Sequence, residues 1–127
     1  MRRYVALLNR QDSLHLKALT LAQESSAPSL VTTQWVLVEV ANSLSRLRRR
    51  RAATQLLMAV VDDPQTEVVV SSDDLFHAGL GLFRERLDKE WSLTDCISFV
   101  VMRQRRLTAA LTADHHFAQA GFEVLLG

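Results

Sequence analysis

Leu30-Val31-Thr32-Thr33-Gln34-Trp35-Val36-Leu37-Val38-Glu39-Val40-Ala41-Asn42 changes its hydrophobic period partway along. The opening residues, Leu30 to Thr33, suit a short strand, because β-branched side chains fit a pleated surface. From Thr33 or Gln34 the period becomes helical. Val36, Val40, Leu44 and Leu47 then form an inner stripe, and the helix is expected to run on into the arginines after position 45. Glu39 is the only charge in this apolar stretch, and it borders the inner stripe rather than opposing it.

The same switch from strand to helix recurs on both sides. Glu67-Val68-Val69-Val70-Ser71 reads as a buried strand. Ser72, Asp73 and Asp74 can cap a helix reaching Leu87. Ser92-Leu93-Thr94-Asp95 follows the capping-box spacing, and the helix behind it, to about Arg105, is apolar on nearly every side. Thr108 to Thr112 is expected as a strand, His115 to Ala120 as a short helix, and Phe122 to Leu126 as a last strand. Upstream, Asp12 to Glu24 has helical spacing, and a further helix is expected over Ala52 to Val61. Residues 4–8 are an apolar run too short for periodicity to decide between strand and helix. Alternating strands and helices argue for an α/β fold with a largely parallel sheet, as one domain spanning 1–127. Ligands in such sheets bind beyond the carboxyl ends of the strands.

The chain is 48% hydrophobic with a net charge of +1, which argues against a general polyanion binder. Lys17 and Lys89 are the only lysines among its 15 basic residues, so the rest are arginines, suited to phosphate and carboxylate groups. Arg46, Arg48, Arg49, Arg50 and Arg51 lie in one run. Such a run is either a solvated helix end or a surface for nucleic acid or an acidic partner. Cys96 stands alone, so no internal disulfide can form. The apolar runs are too short for a membrane helix or a signal peptide, and a cytoplasmic location is expected. Phosphate-loop, dinucleotide, serine-hydrolase and zincin motifs are absent from the sequence.

Three acids occupy costly positions. Glu39 lies beside a core stripe, Asp95 opens the apolar helix, and Asp114 follows the strand Ala109-Ala110-Leu111-Thr112. Each has an ordinary alternative: an ion pair with an arginine for Glu39, and helix-end roles for Asp95 and Asp114. Together they suit hard oxygen coordination of Mg²⁺ or Mn²⁺, which can activate water and clamp a phosphodiester. His115 and His116 are adjacent, so on a helix they point about 100° apart, and joint ligation by both is not expected. Cys96 is expected as a core residue.

Several stretches resemble the PIN-domain family of metal-dependent ribonucleases, and within it the VapC-type toxins. Val5-Ala6-Leu7-Leu8-Asn9-Arg10-Gln11-Asp12-Ser13-Leu14-His15 resembles the family's first helix and the turn after it. Thr32 to Leu44 resembles its second strand and helix, with Glu39 at an acidic position. Ser92 to Phe99 resembles the segment of the third acid, here Asp95. Leu111-Thr112-Ala113-Asp114-His115-His116-Phe117 with Gly121-Phe122 resembles the closing motif, with Asp114 as the last acid.

The resemblance implies a PIN-like three-layer α/β/α fold around a mostly parallel sheet. It implies an RNA endonuclease in which Glu39, Asp95 and Asp114 hold Mg²⁺ or Mn²⁺ and metal-activated water hydrolyses RNA phosphodiesters. Arg46 and Arg48 to Arg51, with Arg103 and Arg105, would hold the RNA backbone. An antitoxin protein and a second copy in a homodimer are the implied partners.

Met1-Arg2-Arg3 stands where the family has a central strand ending in Asp, so that first strand and its acid are expected to be missing. A shortened start, Arg3 to Leu8 drawn into the gap as a strand, or closure by a partner chain would each answer the deficit. With an acid lost, the alternative is a catalytically inactive PIN-like module that docks an antitoxin or a second subunit. In two smaller departures, Cys96 stands where Ala is common, and His116 where some members carry another Asp.

Overall fold

The computed structural model describes residues 5–8 and 29–126. The expected helix from Asp12 to Glu24 lies outside them. In order, the described elements are β1 (Val5–Leu8), β2 (Ser29–Thr33), α1 (Gln34–Ser43), α2 (Leu47–Val61), β3 (Thr66–Val69), α3 (Asp73–Glu85), α4 (Leu93–Arg105), β4 (Ala109–Leu111), α5 (His115–Gln119) and β5 (Glu123–Val124).

The strands form one sheet in the order β3-β2-β1-β4-β5, and every pairing is parallel. Leu7 pairs with Val31 on one side and Ala110 on the other. Strand alternation then assigns the two faces. Leu7 and Ala110 pack with Trp91, Cys96, Phe99, Met102 and Phe117, while Val31 packs with Val69 and Val101. Their neighbours Leu30 and Leu111 turn the other way and pack with Val36, Val40, Leu56 and Val60. Thus α1 and α2 cover one face and α4 the other, which is the three-layer α/β/α arrangement expected.

Two expectations change at the centre of the sheet. The central strand expected to be missing is present, formed by Val5–Leu8, and that segment is a strand rather than the helix its resemblance implied. Four apolar residues carry no helical stripe of their own. Neighbours on both sides give this backbone ladder partners, and Leu7 is fully buried. Distant pairing, invisible in a local window, decides the state.

A third change concerns the arginines. The helix from Gln34 stops at Ser43, and Arg46 becomes the N-cap of α2, without a side-chain capping bond. Ser43 Oγ donates to the Val40 carbonyl at 2.8 Å and Ser45 Oγ to the Asn42 carbonyl at 3.1 Å. Such short polar side chains compete with the helical ladder. Leu44 meanwhile turns into the core. The arginine run therefore opens a helix instead of ending one, the end that the macrodipole favours least for cations. The strand expected over Glu67 to Ser71 runs over Thr66–Val69 instead.

α4 is buried as its composition requires, with Cys96, Ile97, Ser98, Phe99, Val101 and Met102 all inside. Phe99 anchors it, edge-on to Trp91 at 4.9 Å and to Phe117 at 4.8 Å. Burying a side chain of this size stabilises by about 1.5–3 kcal/mol, and each aromatic pair adds about 0.5–1.5 kcal/mol. Cys96 is fully buried, and burial pushes its thiol up to about 11, so it is an inert core residue as expected.

Candidate metal centre

Three helix starts converge beyond the carboxyl ends of the strands. Thr33 ends β2 and caps α1, its hydroxyl accepting from the Val36 N–H at 3.2 Å, and α1 carries Glu39 on its second turn. Asp114 follows β4 and caps α5, accepting from the His116 N–H at 2.9 Å. Ser92 caps α4 in a complete capping box, and the acid of that box is Asp95. The local helix-end roles of Asp95 and Asp114 are therefore real. They also fix where the carboxylates point, and two helix N-termini lend partial positive charge to that spot.

The bonds between elements define the cluster. His116 Nδ1 lies 3.3 Å from Asp95 Oδ2 and 3.5 Å from Asp114 Oδ1. Thr94, next to Asp95, donates its hydroxyl to Glu39 Oε2 at 2.8 Å and ties α1 to α4. Glu39 thus meets a threonine rather than an arginine. The structure brings Asp95 and Asp114 to a shared imidazole and holds Glu39 one residue away, on the exposed side. Asp114 is buried, and its backbone N–H donates to Thr112 Oγ1 at 3.0 Å.

Burial, and then the neighbouring Asp114 charge, raise the Asp95 carboxyl above its usual range; the Ser92 backbone and His116 partly offset this. Two carboxylates forced together in a sheltered place are costly unless a cation joins them. Carboxylate oxygens and a ring nitrogen are donors that a divalent ion accepts. Ligand atoms of Asp114, His115 and His116 also lie within 4.8 Å of one another. His115 is mostly exposed, whereas the His116 side chain is 23% exposed.

His116 and Thr94 are the residues that sequence reasoning missed. The signal for His116 was its spacing from a capping acid. A cap at Asp114 turns the start of α5 so that the side chain two residues on faces back towards the cap.

Next to the cluster lies a cavity of about 650 Å³ between α1, α2 and the end of β3. Trp35, Val38, Leu57 and Val61 line it, together with Glu39 and Thr94 from the cluster. Arg46 and Arg48 to Arg51 are exposed at the start of α2, and Arg50 Nη2 donates to the Ser45 carbonyl at 3.0 Å. Arg105 is engaged by Glu67, whose carboxyl it holds below the usual range. Among the described residues no helix is long and apolar enough to cross a membrane.

Comparison with known proteins agrees with this fold. Among curated proteins nothing matches. Among solved structures, VapC20 of Mycobacterium tuberculosis, described as a sarcin-ricin loop cleaving toxin, is similar in fold. It superposes with a TM-score of 0.77 at 24% identity, covering 95% of this chain and 98% of that one. The PIN domain family matches residues 4–123. With nearly its whole length matched and its acids gathered at the carboxyl end of a 3-2-1-4-5 parallel sheet, the chain belongs to the PIN domain family.

Proposed function

We propose that this PIN domain is a metal-dependent RNA endonuclease of the toxin type, with Asp95, Asp114 and Glu39 forming its Mg²⁺ or Mn²⁺ centre. The observation that carries this reading is the convergence of Asp95 and Asp114 on one sheltered point, where burial and mutual repulsion call for a cation. A divalent ion bound there would supply a polarised water and compensate the charge gathering on the phosphate during attack. Asp95 and Asp114 would hold that ion through oxygens whose directions the capping bonds fix. Thr94 orients Glu39 towards the same space. Hydrolysis adds the water oxygen to phosphorus and breaks one P–O bond of the RNA backbone, and the leaving oxygen gains a proton.

Arg46, Arg48, Arg49, Arg50 and Arg51 offer guanidinium forks for the RNA backbone, and all five residues are exposed. Likeness to VapC20, itself described as a toxin, supports an antitoxin protein as partner. Phe76, Leu80, Phe83 and Leu87 form an exposed apolar stripe at helical spacing along and just beyond α3. Such a stripe suits a second copy of the chain in a homodimer. A cytoplasmic location fits this role, where RNA and antitoxin meet. The stripe also favours the second reading, an inactive PIN-like module that docks an antitoxin or a twin subunit.

The test is cleavage of a structured RNA by purified protein with Mg²⁺ or Mn²⁺ present. Cleavage is expected to stop with EDTA. Asp95→Asn and Asp114→Asn are expected to lose more than the roughly 10–100-fold that removal of an outer partner costs a metal site. Undiminished cleavage by either variant, or in EDTA, refutes the reading. Absence of any cleavage with intact docking to a partner selects the second.

A further inference from the structure

We infer that the cavity beside the carboxylate cluster is a nucleobase pocket: an unpaired base next to the cleaved phosphodiester leaves its stack and lies on the Trp35 indole. The inference rests on the reading above in taking the chain to act on RNA, and it adds a substrate class, RNA that is unpaired at the cleavage point.

The cavity measures about 650 Å³, within the roughly 300–1,000 Å³ usual for small-ligand pockets. Trp35, Val38 and Glu39 all line it. Their spacing places them on one face of α1, with Trp35 a single turn before Glu39. Glu39 is bonded to Thr94, the neighbour of Asp95. The indole therefore lies about 5–6 Å along the helix axis from Glu39, a step that one nucleotide bridges when its phosphate sits at the acids. Trp35 is half-buried, so its ring is anchored and still offers surface to the cavity. Such a platform accepts an unstacked base because every base has a π-face.

Gln34 equips the rim. Its Oε1 accepts from the Ser71 N–H at 2.7 Å and from the Ser71 hydroxyl at 2.9 Å. A backbone N–H can only donate, so the amide oxygen must face Ser71 and the NH₂ group must face away. Its donors suit the ring nitrogens and carbonyls of a base edge.

Charge favours a polyanion as the occupant. Leu57 and Val61 line the cavity from α2. Arg50 shares their face of that helix by its spacing, about 10 Å before Leu57. Its guanidinium reaches back to the Ser45 carbonyl, where α1 and α2 meet. One strand can thus lay a base on Trp35, the cleaved phosphate at the acids and a further phosphate at Arg50.

The test is binding of an eight-nucleotide adenosine RNA to the intact protein in EDTA. Trp35 and Trp91 are the two tryptophans of the chain. Trp91 is buried with its indole N–H bonded to Gln119, so a change in emission on binding reports Trp35. The single strand is expected to quench that emission, and a perfect RNA duplex of equal length to leave it unchanged. Trp35→Ala should bind the single strand roughly 5- to 150-fold more weakly, and Trp35→Phe should recover most of the loss. The remaining Trp91 emission shows whether Trp35→Ala is folded, and the wild-type quenching needs no variant. No binding of the single strand, binding without quenching, or equal affinity in folded Trp35→Ala overturns the pocket and leaves the nuclease reading to its own cleavage assay. Quenching and lost affinity in a protein that never cleaves RNA upholds the pocket and overturns the nuclease. An emission change with an amphipathic leucine-rich helical peptide, but none with RNA, overturns the pocket in favour of a protein partner.

Discussion

Replacing Gly79 with alanine should loosen the contact that seats α4 and with it Asp95. Gly79 is buried where α3 crosses α4. An added Cβ would stand 2.3 Å from Ile97 Cγ1 and 3.2 Å from both the Ile97 Cα and N. Ordinary carbon contacts lie at about 3.5–4.0 Å, so the first is short by more than about 1 Å. Ile97 has little room to yield. It is 1% exposed, and a β-branched side chain in a helix keeps one dominant rotamer. Overpacking of this kind costs about 1–3 kcal/mol. Against it stands the gain of about 1 kcal/mol when alanine replaces glycine inside a helix. With an overlap this large the cost falls at the upper end, leaving a net loss of about 1–2 kcal/mol. For a domain of this length the midpoint of thermal unfolding should fall by roughly 3–8 °C. Denaturant unfolding measures the free energy directly. In a double-mutant cycle, Ile97→Ala should cost less in the Gly79→Ala protein than in the wild type, because it removes the clashing atom. A Gly79→Ala protein as stable as the wild type, or more stable, refutes the packing argument.

Asp95→Asn should stabilise the metal-free protein at neutral pH. Burial, then Asp114, raise the folded-state pKa of Asp95, so its ionised form destabilises the fold above that pKa. The penalty fades as pH falls through the raised value towards the ordinary carboxylate range. Urea unfolding in EDTA should therefore show the variant ahead at pH 7 and the two proteins converging near pH 4; a gap that widens on acidification contradicts the assignment. Thr94→Val removes the hydroxyl that holds Glu39 Oε2 but leaves an exposed face otherwise unchanged. Stability should move by less than about 1 kcal/mol, while RNA cleavage falls clearly; full cleavage would remove Glu39 positioning from the account.

Much of the α/β layout could be read from single segments, because α4 and its capping box declare themselves locally. Ser92, Asp95 and the apolar run from Cys96 to Met102, broken only by Ser98, need no distant partner to specify a buried helix. Val5–Leu8 differs, since its strand state depends on β2 and β4, far away along the chain. The break at Leu44 was hidden because Ser43 and Ser45 act through their own backbone bonds, which a hydrophobic period does not register. At the site, the costly placement of Asp95 and Asp114 was visible as acids beside apolar runs. The part of His116 was not, because two adjacent histidines read as diverging until a capping acid turns one of them back.

The most direct measurement is a crystal soaked in Mn²⁺ and examined by anomalous scattering. A single strong peak is expected within bonding distance of the Asp95 and Asp114 carboxylates. A saturated crystal with no peak there, or with manganese bound only elsewhere, contradicts the claim that these acids were brought together to hold a cation.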